Sequence, residues 1–216
     1  MTGILHRLII ALIAFAIGIA SNAIWLSMGL STLRTPLAAA DCAPQYDADF
    51  IAKSLREEDD PQFFSAFQEL PIYAMPACVD EAYSLAWISS FHGPVLVQVW
   101  RSGDRAFMVA KGLDSKGWSK FGNVDRANSR PLTNFEWRDF TDLLNRASYW
   151  NLPSTVNEIN PQDGAVWLVD GLRTKQYHWV RRRVPRDQYA EICKHLIRLS
   201  GLETDHDLYL AVPLRH

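Results

Sequence analysis

The side chains able to do chemistry gather late in the chain. Asp163, Trp167 and Asp170 belong to the run DGAVWLVDG; Tyr177, His178, Arg181, Arg182 and Arg183 belong to KQYHWVRRRV, with Arg186 just beyond. Both runs read as strands joined by a turn near Gly171, which would bring carboxylates, an imidazole and guanidiniums onto one hairpin. Those groups are the ingredients of acid/base work or of an anion pocket. One reading is a hydrolase or transferase centred on His178 with Asp163 or Asp170. Strand alternation weighs against it, because Tyr177, Trp179 and Arg181 share one face while His178, Val180 and Arg182 share the other. Adjacent arginines then cannot all serve one pocket, and alternating arginine is also how a solvated or edge strand looks. Asp163-Gly164 is an ordinary turn pair. The named residues from Asp163 to Arg183 stand as candidate binding residues, and none is assigned as catalytic.

Other constellations are weaker. Gly112, Gly117 and Gly122 punctuate a loop around Trp118 and Phe121, without the spacing that lets a glycine loop cradle phosphate. Asp205-His206-Asp207 offers metal-friendly atoms, but three consecutive residues rarely converge on one ion, and a polar tail is the better reading. No G-x-S-x-G, H-E-x-x-H or C-x-x-C is present, so neither a metal nor a cofactor is implied, and a non-enzymatic role is favoured. Of the three cysteines, Cys42 and Cys78 form a possible disulfide if the domain is exported, and Cys193 reads as a buried thiol.

The elements that must position these groups begin after an apolar stretch. Residues 8–30 carry no charge and lie between Arg7 and Arg34. A helix of roughly 20 residues crosses a bilayer, so this stretch predicts a single transmembrane anchor, residues 1–34. Ala38-Ala39-Ala40 keeps a cleaved signal peptide as the alternative, although a signal core usually runs about 7 to 15 residues. The domain is expected outside the cytoplasm in either case. Ala14, Gly18 and Asn22 would share one helix face and offer a weak homodimer contact through the span.

Residues 35–76 read as a connecting segment with short helices near Ala48–Arg56 and Gln62–Glu69. Three strands follow in EAYSLAWISSF, PVLVQVWR and AFMVAKGL. Thr133 and Glu136 predict a capping box, with Leu132 and Trp137 as its hydrophobic staple, opening a helix whose apolar stripe includes Phe140, Leu143, Leu144 and Ala147. After the hairpin, Pro185 opens a last helix with Tyr189, Ile192, Cys193, Leu196 and Ile197 on one face and Gly201 as its stop. The order βββ-α-ββ-α predicts an α+β domain over 77–204, an antiparallel sheet with its amphipathic helices on one face. A polar tail, 205–216, completes the chain.

The stretch from Tyr83 to Gly201 resembles a family of uncharacterised bacterial proteins, often exported or membrane-anchored. WISSFHGPVLVQVWR, LTNFEW, SYWNLP, DGAVWLVDG and YHWVRRRVP carry the resemblance. It implies a domain of unknown function and assigns no catalytic residue.

Charge narrows the partners. All 24 acidic residues follow residue 40, whereas the 22 basic ones include Arg7 and Arg34, so the domain is slightly acidic and nucleic acid is not expected. The leading expectation is a membrane-tethered domain that binds or scaffolds an envelope protein, using Trp118, Trp150, Trp167 and Trp179 as aromatic anchors. Contact of Arg181 to Arg186 with anionic lipid is a further alternative.

Overall fold

A computed structural model describes residues 61–76, 78–114, 121–156, 164–173, 176–183 and 185–202. Six strands form one antiparallel sheet: β1 (Glu81–Ser89), β2 (Val95–Ser102), β3 (Arg105–Leu113), β4 (Val124–Leu132), β5 (Ala165–Arg173) and β6 (Gln176–Arg182). Their order across the sheet is β4-β3-β2-β1-β5-β6, so the chain meanders from β1 to β4 and then crosses back to lay β5 on the free side of β1. The crossing is made by helix α2 (Asn134–Arg146); α1 (Pro61–Phe67) precedes the sheet and α3 (Asp187–Ser200) follows it.

Both faces of the sheet are covered. Leu85, Trp87, Val97, Met108, Trp167 and Val169 meet Trp137, Phe140 and Leu144 of α2 and Tyr189, Ile192 and Leu196 of α3. On the opposite face Ala86, Ile88, Leu96 and Leu168 meet Phe63, Phe64 and Phe67 of α1. Burying a side chain as fully as Phe140 or Ile192 contributes on the order of 2 to 3 kcal/mol. Polar anchors hold the first segment down: Lys111 Nζ pairs with Glu69 at 2.6 Å and donates to the Phe67 carbonyl, while Gln98 Nε2 donates to the Leu70 carbonyl.

Three sequence expectations are corrected. The strand order gains β4, because VDRANSRPL lies at the sheet edge, where half-buried and exposed polar positions alternate and no apolar face marks a strand. Pro131 is tolerated there for the same reason. The two amphipathic helices, α2 and α3, do pack on one face, but the segment expected only to connect supplies α1, which covers the opposite face. The single-span architecture also gives way: among the described residues no helix is long and apolar enough to cross a membrane. Residues 8–30, with the small-residue stripe expected to pair two copies, lie outside the described residues, as do the helix expected at Ala48–Arg56 and the tail 205–216.

The capped helix forms as its sequence requires. Thr133 Oγ1 accepts from the Glu136 backbone N–H, and the Glu136 carboxylate accepts from the Thr133 N–H. In α3 the stripe from Tyr189 to Ile197 is buried, and Gly201 takes the left-handed conformation at φ 61°.

Candidate functional site

The hairpin residues do not converge. In the β5–β6 register Gly171 faces His178 and Asp170 faces Trp179, so Asp170 and His178 lie on opposite faces of the sheet. Asp170 accepts from the Tyr177 hydroxyl at 2.9 Å, on the α1 side. His178 lies against Tyr149 and Trp150, and burial lowers its pKa and favours the neutral imidazole. Asp163 is outside the described residues. An acid/base centre on His178 with Asp170 is therefore ruled out by the pleat.

Arg182 is structural. It is buried, stacks on Tyr189 at 5.5 Å, and donates to the carbonyls of Pro153, Ser154 and Arg181. Arg181 and Arg183 are half-buried. With Arg182 turned inward, the run presents no single basic face, which corrects the anionic-lipid expectation. Of the four expected aromatic anchors, Trp167 is fully buried against Trp87 and drops out, Trp150 and Trp179 are half-buried, and Trp118 lies outside the described residues. The membrane-tethered envelope scaffold is thereby corrected: among the described residues no helix is long and apolar enough to cross a membrane. Cys78 is disulfide-bonded; its expected partner Cys42 lies outside the described residues, and Cys193 is free and buried.

What the fold does assemble is a cleft of about 490 Å³ at the other end of the sheet, a volume within the ~300–1,000 Å³ range of ligand sites. Its floor is a row across three strands. Glu81 opens β1, and the register sets it opposite Arg101 of β2 and Arg173 of β5, all on the face that α2 covers. The helix wall supplies Asn134, Arg138, Thr141 and Asn145, with Trp137 and Leu144 behind them.

Each floor residue is held by local structure. Arg101 Nε donates to the Gly103 carbonyl at 2.8 Å in the two-residue turn between β2 and β3, where Gly103 takes φ 62°. That turn is tied in turn to Asp80, whose carboxylate accepts from the Gly103 N–H. Glu81 accepts from the Tyr83 hydroxyl at 2.5 Å. Burial first, and then the charge of Glu81, push the Tyr83 phenol well above its ordinary pKa, so Tyr83 stays a donor and fixes the carboxylate. Arg173 lies over the Trp150 ring at 4.4 Å. Trp150 reaches that place because Ser148, at φ 50°, turns the chain after α2 into the short 3-10 turn Tyr149–Asn151. The turn is locked by the Tyr149 hydroxyl, which donates to the carbonyls of Val169 and His178. Gly171 makes room for it, since a Cβ there would meet Tyr149 Cε1 at 2.7 Å and Tyr83 Cε1 at 3.0 Å.

The electrostatics favour anions. Three guanidiniums, Arg101, Arg138 and Arg173, line the cleft against the carboxylates of Glu81 and Asp104. Among the described residues none of the three has a carboxylate within 4.0 Å. A smaller cleft of about 350 Å³ between α2 and α3 is balanced instead, with Arg146 and Arg198 against Asp139 and Glu191. There His195 Nδ1 lies 3.7 Å from Asp139, and burial lowers the imidazole pKa.

Sequence reasoning missed Glu81, Arg101, Arg138 and Arg173. For Glu81, Arg101 and Arg173 the signal is a charged residue near the end of each of three strands, which acquires meaning only once the strands are in register. No protein-family model matches this chain, and neither the curated proteins nor the solved structures it was compared with match it.

Proposed function

We propose that this domain binds a small anionic ligand in the cleft between α2 and the ends of β1, β2 and β5. The carrying observation is the set of three guanidiniums around one cavity, none neutralised by a carboxylate among the described residues. Arginine suits this role because its planar fork of donors matches carboxylate and phosphate oxygens in pairs. Asn134, Thr141 and Asn145 add neutral hydrogen-bonding groups, and the stacked Trp150 holds Arg173 without occupying all its N–H groups. The arrangement positions and neutralises charge, and it offers no nucleophile paired with a base.

Titration calorimetry of the full chain with inorganic phosphate and with a four-carbon dicarboxylate tests this. Saturable binding is expected, weakening with added salt because exposed charges are screened beyond about 8 Å at physiological ionic strength. In the Arg138→Ala/Arg173→Ala double variant affinity should fall at least about 10-fold, equivalent to about 1.4 kcal/mol. Absence of saturable binding by every ligand carrying a carboxylate or phosphate group, or equal affinity in the double variant, would overturn the proposal.

A further inference from the structure

The charge at the centre of the cleft is negative, and a site for a plain anion has no use for it. Glu81 stands between Arg101 and Arg173 in the strand register, yet neither guanidinium pairs with it. Arg101 is held by the Gly103 carbonyl and Arg173 by the Trp150 ring. One Glu81 oxygen, Oε1, is taken by Tyr83. Its other oxygen, Oε2, has no donor among the described residues. The site therefore presents a fixed carboxylate at its floor and guanidiniums on either side, with the short Tyr83 contact setting the direction of the acceptor.

We infer that the ligand is a zwitterion of the α-amino-acid type. Its ammonium would be received by Glu81 Oε2 and its carboxylate by Arg173 with Arg101 or Arg138. The inference rests on the anion-binding reading above and adds the cationic half of the ligand. Such a ligand satisfies both signs of the floor, whereas a dicarboxylate leaves Glu81 facing a like charge, which costs affinity and gives the site its selectivity. Trp137 and Leu144 form the apolar back of the cleft. The ligand side chain would extend towards them, and the cavity has room for a free amino acid or a short peptide carrying both termini.

The main test uses the unaltered full chain with blocked ligands, and one variant supports it. Calorimetry would compare the twenty free amino acids as pools, then the binding member with its N-acetyl and C-amide derivatives, and with the four-carbon dicarboxylate. At least one free amino acid should bind, and each block should weaken it about 10-fold or more. A Glu81→Gln variant, checked for an unchanged unfolding midpoint, should lose amino-acid binding and tighten on the dicarboxylate. If the dicarboxylate or phosphate binds and no amino acid does, the inference fails while the anion site stands. Should the C-amide bind as well as the free acid, the arginines are not engaged and both readings fail. Failure of every ligand to bind also removes both.

Discussion

Arg182 and Arg173 lie on the same face of the same sheet, on neighbouring strands, and are used in opposite ways. Arg182 donates to three backbone carbonyls and covers Tyr189, so its charge is spent on holding the segment around Pro153 against β6. Arg173 lies over the Trp150 ring at 4.4 Å, a contact that steadies the guanidinium without using its N–H donors. A guanidinium whose two terminal nitrogens are both bound to backbone carbonyls is a brace; one held only against a ring is available to a ligand. The distinction depends on what surrounds each side chain and is invisible in residue type.

Breaking the brace should have the largest effect. Arg182→Ala leaves the Pro153, Ser154 and Arg181 carbonyls without their charged donor in a buried place, which costs about 3 kcal/mol of stability. Urea denaturation should show that loss with anion affinity of the remaining folded protein unchanged. A loss under about 1 kcal/mol would mean the carbonyls find other donors, and Arg182 would no longer contrast with Arg173. Next in size is Gly171→Ala, which forces a methyl into the rings of Tyr149 and Tyr83. Overpacking of this kind costs about 2 kcal/mol. Because Tyr83 fixes Glu81, this variant alone should disturb both regions, lowering stability and ligand affinity together. Unchanged affinity would show that the hairpin and the cleft are mechanically separate.

Much of the fold was legible where local physics decides it. The Thr133–Glu136 box and the α3 stripe are written in spacing alone, and the structure forms both. β4 was hidden because an edge strand such as VDRANSRPL buries little and so lacks apolar alternation. The second covered face was hidden for the reverse reason: β1 is buried on both sides, from Ala82 to Ser89, and a strand of that kind carries no face signal. The candidate site was displaced for a third reason. The sequence groups Asp170, His178 and Arg182 within one hairpin, but the pleat separates Asp170 from His178. The Glu81, Arg101 and Arg173 row joins strands far apart in the chain. Register is a tertiary fact, and only an assembled sheet states it.

Sharpening the comparison from the cleft side, Arg173→Ala should cost at most about 1 kcal/mol, the worth of its contact with Trp150. Anion affinity should nevertheless fall. Its stability change is thus smaller than that of Arg182→Ala while its binding change is larger, a crossing that general destabilisation cannot produce. If Arg173→Ala loses as much stability as Arg182→Ala, both are braces and the cleft loses its best-placed cation.

The smallest effect is electrostatic and lies at the end of the helix that walls the cleft. Glu136 is held down to about 2 from 4.5, foremost by its hydrogen bonds from Arg130 and then by the Thr133 N–H. A carboxylate with a depressed folded pKa stabilises the fold fully above its unfolded value, and that contribution is lost as pH falls from about 4.5 through about 2. The carboxylate is 27% exposed, so screening keeps the contribution near that of an ordinary cap, about 1 kcal/mol. Unfolding midpoints of the native chain should therefore fall across that acid window more steeply than those of Glu136→Gln, with the two curves a constant distance apart above it. Parallel curves throughout would mean that Glu136 does not carry the acid response. The cap holds the first turn of α2, which places Asn134 and Arg138 in the cleft but none of the Arg182 brace. Its loss should therefore weaken ligand binding slightly and leave the hairpin unaffected.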